Sequence, residues 1–334
     1  MTLEEMKLRR LTGQHLLSPV DTQTVVKDLC GVQAQFLTHA LHALSIRSTI
    51  VNTTGLVKSW TNRGTMHLFS EEDLPLFLHQ GRTHQLRPVD TLEADVYISA
   101  KRKAYFADLI VETIAQGTDS REALKVICEK AGMTQSESKS LFDPWGGMIR
   151  ALCETGCICH KVQETKAYQL CPSFEPMAET AACLELARRY FTHFGPATIK
   201  DAAYFFGTTQ AKVKLWLEQI PVVSTSLEGK PFFYIESEPR KEALPSCLFL
   251  AGFDQLMLGY DKMESLFLPQ AHIRDIFNLA GIVRPAILLH GDVVGWWKLK
   301  NRKLKITLFS PADRKLICET AEKLWDNLTT IEFL

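Results

Sequence analysis

The sequence holds no apolar run approaching the roughly 18 residues that a membrane-spanning helix needs, so no span is expected in it. It has no surplus of either charge, with 38 Lys and Arg against 38 Asp and Glu. That balance argues against a protein that coats nucleic acid by bulk charge, but leaves a local basic surface open, because clustering decides that property. The Gly-rich phosphate loop, the HExxH pair and the GxSxG elbow are all missing, and with them the usual enzyme signatures. There is no evenly paired set of cysteines. Nine stand at irregular intervals, one left over in any full pairing, which suits reduced thiols in a cytosol better than a disulfide framework. The opening MTLEEMKLRR mixes acids and bases before any apolar stretch and is not expected to act as a secretory signal.

What is present is an ordinary globular composition, 46% hydrophobic and 23% charged over 334 residues, enough for two to four small domains or one large one. The most legible stretch is GPATIKDAAYFFGTTQAKVKLWLEQIPVV, residues 195–223. Thr198 is placed to cap a short helix with Ile199, Ala202, Ala203 and Phe206 on one face, and Gly207 is placed to end it. A second helix puts Val213, Trp216, Leu217 and Ile220 inward and Gln210, Lys212, Lys214 and Gln219 outward. Pro221 stops it, and a hairpin around Gly229 follows. Helix, tight turn, helix and two-stranded wing make the winged-helix pattern, with the second helix in the recognition position.

The pattern recurs upstream. Residues 120–132 read as a helix with Ala123, Val126 and Ile127 inward and Gly132 closing it. Asp143 and Pro144 read as cap and first position of the next helix, and strands around 157–161 and 168–171 as its wing. Further toward the start, 8–17 and 25–44 are patterned as helices, and TNRGTMHLF alternates Thr65, His67 and Phe69 against Met66 and Leu68 as a strand. After residue 243 the character changes. Short β-rich runs divided at Gly291-Asp292 and Asn301-Arg302 suggest a small barrel or curled sheet, covered by a final helix over 312–328. Boundaries fall near 116, 178 and 243.

Two clusters invite chemistry. Cys153, Cys157, Cys159, His160 and Cys171 give C-x3-C-x-C-H, which matches no common zinc spacing, and small thiols pack well on a wing strand; no metal is expected there. The other is GVQAQF, where Gln33 and Gln35 interrupt an apolar stretch. Burying an unpaired amide costs about 1–3 kcal/mol, so these are either paired structural amides or groups kept for a task. If 25–44 is one helix, they point about 200° apart and cannot serve one site; if the chain bends at Gly31 or runs extended, they can face one cavity. Arg63, Thr65 and His67 are further polar candidates, His67 being either a structural or a catalytic histidine. KLKNRKLK (residues 298–305) has five bases in eight residues and no acid.

Taken together, GVQAQ, RGTMHLF, HFGPATIKDAAYFFGTT, AGFDQLMLGY and HGDVVGWWK resemble the AlkZ/YcaQ-type bacterial DNA glycosylases over almost the whole chain. The resemblance implies an α+β fold of three tandem winged helices (1–116, 117–178, 179–243) and a C-terminal β-barrel (244–334). It also implies a motif of glutamine, a small or aliphatic residue, and glutamine, which Gln33, Ala34 and Gln35 match in the form of the AlkZ-like branch. That branch removes N7-alkylated purines and unhooks N7-linked interstrand crosslinks. At AGFDQ an acid is the commoner residue where this chain has Gln255. The function expected is a monofunctional, metal-independent DNA glycosylase without cofactor, a monomer acting on alkylated or crosslinked double-stranded DNA in the cytoplasm, at the nucleoid. Gln33 and Gln35 would be catalytic. Arg63, Thr65, His67, Lys212, Lys214, Lys298, Lys300, Arg302 and Lys305 would touch DNA, gripping phosphates without reading sequence. The rivals are a winged-helix regulator with no chemistry and, more weakly, a protein–protein scaffold.

Overall fold

Thr2 caps helix Leu3–Gly13, its hydroxyl accepting from the Glu5 N–H while the Glu5 carboxylate accepts from the Thr2 N–H. This reciprocal pairing starts the helix earlier than apolar spacing predicts. Asp21 caps Thr22–Asp28, and there the long helix expected over 25–44 ends. Cys30 and Gly31 both take positive φ, 52° and 81°, which a right-handed helix cannot absorb. The chain runs extended through Val32–Gln33 and resumes as helix Leu37–Ser45. The computed structural model describes residues 1–61, 63–85, 94–144, 146–237 and 243–334. Asn62, Trp145 and the 238–242 stretch leading to the last expected boundary lie outside them. The described chain forms two compact units: Met1–Asn52 with Leu186–Leu334, and Thr53–Glu185.

In the second unit, strands Leu56–Trp60 and Met66–Ser70 pair antiparallel with Trp60 opposite Met66. Ile158–His160 and Tyr168–Leu170 extend the sheet beyond Leu56–Trp60. Met66–Ser70 is buried at every position, so its alternation separates two covered faces rather than core from solvent. Phe106 and Ile110 of helix Ala100–Ala115 join Leu124, Leu152, Ile158 and Tyr168 in the core. Helix Arg121–Lys130 starts at Ser120 but buries Leu124 and Cys128, leaving Val126 46% exposed. Its inward face is therefore rotated from the one that Ala123, Val126 and Ile127 predict. Asp143 and Pro144 do not start the following helix. Gly146 and Gly147 take φ of 139° and 53°, and the helix is Gly147–Glu154. A capped helix, Gln135–Leu141, occupies what reads as a polar turn.

Helix Glu179–His193 brings the chain back into the first unit at Leu186. Helix Ile199–Phe206 begins with a capping box between Thr198 and Asp201 and ends at Gly207 with φ 61°, where capping chemistry predicts. Helix Gln210–Leu217 follows with Val213 and Trp216 buried. Strands Val222–Leu227 and Lys230–Ile235 then pair across Glu228 and Gly229, both at positive φ, as the tightest hairpin turns demand. Buried Arg10 ties the first helix to this region: its Nε donates to the Pro196 carbonyl at 2.8 Å, and its guanidinium lies 3.8 Å from both the Asp201 carboxylate and the centre of the Tyr260 ring.

The C-terminal strands form one open sheet, ordered Thr330–Phe333, Lys303–Leu308, Asp292–Lys300, Ala286–Leu289, Cys247–Phe249. No closed barrel is found among the described residues. The expected closure fails because the last strand joins the outside of Lys303–Leu308 in parallel instead of bridging to Cys247–Phe249. The covering helix is Arg314–Leu324, with Ile317 and Ala321 in the core beside Trp297 and Leu304. It stops short of the predicted 328, since the chain must turn to lay down Thr330–Phe333.

Candidate active site

The break at Gly31 settles the geometry of the two glutamines. Residues 32–33 are extended and the chain bends at 35–36, so the two glutamines are not fixed on opposite sides of one helix. Gln33 is 8% exposed, whereas Gln35, at the bend before helix Leu37–Ser45, is exposed. Among the described residues neither side-chain amide has a hydrogen-bond partner, and the Gln33 amide is not among the sealed polar atoms. Between them Ala34 is fully buried and anchors the segment.

The AGFDQ turn backs this segment. Phe36, 48% exposed, stacks on Phe253 with ring centres 5.5 Å apart, and the His39 ring lies 6.3 Å from Phe36 and 6.4 Å from Phe253. A Cβ on Gly252 would stand 2.9 Å from the His39 ring, so the ring and backbone approach as closely as they do because the residue is glycine. Phe253 sits at φ 58°, a conformation that costs a bulky residue about 1–3 kcal/mol and needs support. Asp254 supplies it. Its carboxylate accepts from Arg47 Nη1 and Nη2 at 3.0 and 2.7 Å and from the N–H groups of Ala251 and Leu256. Arg47 also donates to the carbonyls of Gln14 and Ala43, wholly out of solvent. Burial pushes the pKa of His39 down, reinforced by His42, and burial does the same to His42, whose Nε2 meets the Phe249 carbonyl at 2.8 Å. His39 therefore stands as a neutral imidazole behind the exposed Phe36. Sequence reasoning passed over His39 and Phe36, although both lie within one helical turn of Gln35.

In the second unit, His67 is sealed. Its Nδ1 meets the Thr65 carbonyl at 2.9 Å and its Nε2 faces Arg63 Nη1 at 3.2 Å. Burial and the Arg63 charge hold its pKa well below the ordinary value. The ring is a neutral brace for Arg63 and is itself wholly buried. Arg63 and Thr65 are partly exposed.

Lys212 and Lys214 are exposed on helix Gln210–Leu217. On the terminal hairpin Lys298 stands opposite Lys305 and Lys300 opposite Lys303, with all four exposed while Leu304 and Ile306 are buried behind them. Like charges directly opposite on a sheet are destabilising unless something neutralises them. Glu332, 3.3 Å from Lys305, does so in part. Arg302 forms the turn at φ 64° and donates through Nε to the Asn327 carbonyl. The cysteine cluster reads differently from a metal centre. Cys153 and Cys159 are buried free thiols, Cys171 hydrogen-bonds Cys159 and lowers its pKa, and among the described residues no three ligands of this cluster converge.

A family model described as DNA glycosylase AlkZ-like matches residues 26–326. The chain is 27% identical over 324 residues to the interstrand DNA cross-link repair glycosylase of Streptomyces sahachiroi, a match covering 87% of this chain and 85% of that protein. The solved structure of Streptomyces sahachiroi DNA glycosylase AlkZ covers 100% of both chains with a TM-score of 0.79 at 19% identity, a likeness of fold.

Proposed function

We propose, from the premise that this chain belongs to the DNA glycosylase AlkZ-like family, that it hydrolyses the N-glycosidic bond of N7-alkylated purines and unhooks N7-linked interstrand crosslinks. The name of the Streptomyces sahachiroi relative, which refers to cross-link repair, supports the second half. The observation that carries the chemistry is the pair of unpartnered amides, Gln33 at the end of the extended stretch and Gln35 at the bend just after it.

N7-alkylation makes the purine cationic, so cleavage releases a neutral base and asks for no general acid. What is left of the barrier is an oxocarbenium-like sugar and a water to capture it. Two fixed amide carbonyls accept hydrogen bonds from that water and hold its oxygen toward the anomeric carbon, an effect of position and preorganised dipoles. As oxygen bonds to carbon, the water proton passes to solvent. A glutamine cannot deprotonate water at neutral pH. The carboxylate of the adjoining turn, Asp254, is committed to Arg47. Substrates with poor leaving groups are therefore left intact, and no metal enters this step. The enzyme is monofunctional in this reading, because no lysine amine is assigned to form a Schiff base.

Binding is to phosphates of double-stranded DNA. The two helices and hairpin over 199–235 serve as one winged helix of three, with modules over 1–116, 117–178 and 179–243 preceding the sheet of 244–334. Lys212 and Lys214 contribute from the second helix. Lys298, Lys300, Arg302 and Lys305 contribute from the terminal hairpin, where their mutual repulsion is relieved by a polyanion. Arg63 and Thr65 add contacts, with His67 holding Arg63. The protein works as a monomer, in the cytoplasm at the nucleoid.

The test is one oligonucleotide series carrying N7-methylguanine, an N7-mustard crosslink or uracil, followed by alkaline cleavage of abasic sites. Release from the first two and none from uracil is expected, since uracil departs as an anion that the amides do not stabilise. Efficient uracil release would overturn the leaving-group argument. No excision from any of the three would favour a DNA-binding regulator.

A further inference from the structure

We infer that His15, Asp28 and His193 form a binding site for a divalent transition-metal ion of the zinc(II) type, clipping together three separated segments of the first unit. His15 follows the first helix, Asp28 ends Thr22–Asp28, and His193 ends Glu179–His193. His15 Nε2 lies 2.7 Å from Asp28 Oδ2, and His193 Nε2 lies 3.3 Å from Asp28 Oδ1. One ligand atom from each residue falls within 4.8 Å of the others. Around a tetrahedral zinc with bonds near 2.0–2.1 Å, ligand atoms stand about 3.3 Å apart; the His193–Asp28 pair has that spacing, and the 2.7 Å His15–Asp28 hydrogen bond opens to admit the ion. Two imidazoles and a carboxylate are a common donor set for such ions.

The hydrogen bonding of His193 carries the inference. Its Nδ1 faces the Gly13 carbonyl at 3.1 Å, and a carbonyl accepts, so Nδ1 bears the hydrogen. In the neutral ring Nε2 then presents a lone pair, and it faces a carboxylate oxygen. Two acceptors at that distance repel unless a cation stands between them. A backbone carbonyl fixing the far nitrogen is also how metal-binding histidines are commonly oriented. The carbonyl cannot retreat easily: a Cβ on Gly13 would come within 2.6 Å of the His193 oxygen, so the two backbones are already in contact. His15 adds a second sign. Its Nδ1 is sealed with no partner and its Nε2 meets Asp28 Oδ2 at 2.7 Å, so Nε2 is the nitrogen turned to the carboxylate, and an ion bound there takes the place of its hydrogen.

His15 and His193 also line a cavity of about 740 Å³, together with Arg9, Thr12, Ser224 and Tyr234. It gives a fourth, water-filled coordination position room to exist. Asp28 supplies one negative charge, and Arg188 lies near enough to act on His193, so the ion is held less tightly than at a site with several anionic ligands. Asp28 lies three residues before Gly31, so the ion fixes the end of the helix from which the Gln33 segment departs. It is a structural clip, and it stands whether or not the chain is a glycosylase.

The experiment needs no substrate. The chelator-stripped full chain is titrated with Co²⁺ and the visible d–d absorption followed, then Zn²⁺ is added. The expected result is a one-to-one absorption that Zn²⁺ abolishes, together with a rise in melting temperature on adding Zn²⁺. Asp28→Asn and His193→Gln should each weaken binding about 100-fold, by analogy with the 10–100-fold losses seen when metal-site support is removed. His272→Asn, a surface histidine beside Asp275, should bind as the parent does. Absence of Co²⁺ absorption in the parent would overturn the site and leave a protonated His193 bridging Gly13 and Asp28. So would equal binding by Asp28→Asn and His193→Gln, each shown folded by circular dichroism.

Discussion

At the 251–255 turn, Asp254 meets Arg47 in a pair closed off from solvent, and its carboxylate also accepts from two backbone N–H groups. On the terminal hairpin, four exposed lysines face one another across two strands, with Glu332 as partial relief for one of them. Both regions belong to the first unit, and both concentrate charge. The enclosed pair is complete in itself, so its worth is internal: it holds Phe253 in a left-handed backbone and the QAQ segment's aromatic wall in place. The lysine ladder is incomplete, and an incomplete charge pattern is informative about what arrives from outside.

The largest effect should come from breaking the complete pair. Asp254→Ala leaves Arg47 charged and buried, a loss of about 3–5 kcal/mol, whereas a double replacement by apolar residues of similar size, Arg47→Met with Asp254→Leu, recovers much of it. Urea unfolding measures both, and a single variant as stable as the parent would show that the pair is not the support described. Next comes the unpartnered pair. Gln33→Ala or Gln35→Ala should slow excision about 10–1000-fold with unfolding and DNA affinity nearly unchanged, since such groups act in the transition state. A parallel loss of stability would make them structural amides after all.

Sharpening the other side, Lys300→Ala, Arg302→Ala and Lys305→Ala together should flatten the slope of log affinity against log salt by up to about three, if each meets a phosphate. The same triple variant should differ little from the parent in stability, because the repulsion removed is offset by the lost Lys305–Glu332 pair and Arg302–Asn327 hydrogen bond. An unchanged slope would place the hairpin away from DNA. The smallest effect concerns a part-buried pair in the second unit. The hydrogen bonds from Arg102, with those from Thr134 and against the opposing effect of burial, set the Glu137 pKa at about 2 against an ordinary 4.5. A depressed folded value stabilises fully above the unfolded pKa and is lost as pH falls through the folded one. Acid titration of stability from about pH 5 down to 2 should therefore show a small decline that Arg102→Ala removes.

The sequence was most legible where structure is decided locally. Thr198, Asp201 and Gly207 name both ends of their helix because capping involves neighbours three or four residues away. It was least legible where a distant partner decides. The apolar spacing over 25–44 continues straight through Gly31, and only the positive φ at Cys30 and Gly31 shows that the chain breaks there. Residues 325–328 carry on the helical pattern, yet the parallel pairing of Thr330–Phe333 with Lys303–Ile306 claims the chain just beyond. Gln33 and Gln35 were identifiable as a motif, while their freedom from partners was not. His15, Asp28 and His193 left no trace in spacing, because the first two are 13 residues apart and the third is reached only through the fold.

The first unit is discontinuous in the chain, with Thr53–Glu185 inserted between its two parts, and this has a consequence in time. Arg47 and Asp254 are 207 residues apart, so at about 5–20 residues per second a ribosome exposes the arginine roughly 10–40 s before its carboxylate exists. Throughout that interval the glutamine segment has been made, but the turn that walls it has not. A chain interrupted anywhere before residue 254 would thus carry the whole QAQ motif and still lack the backing that orders it, so incomplete products should be inert toward DNA bases.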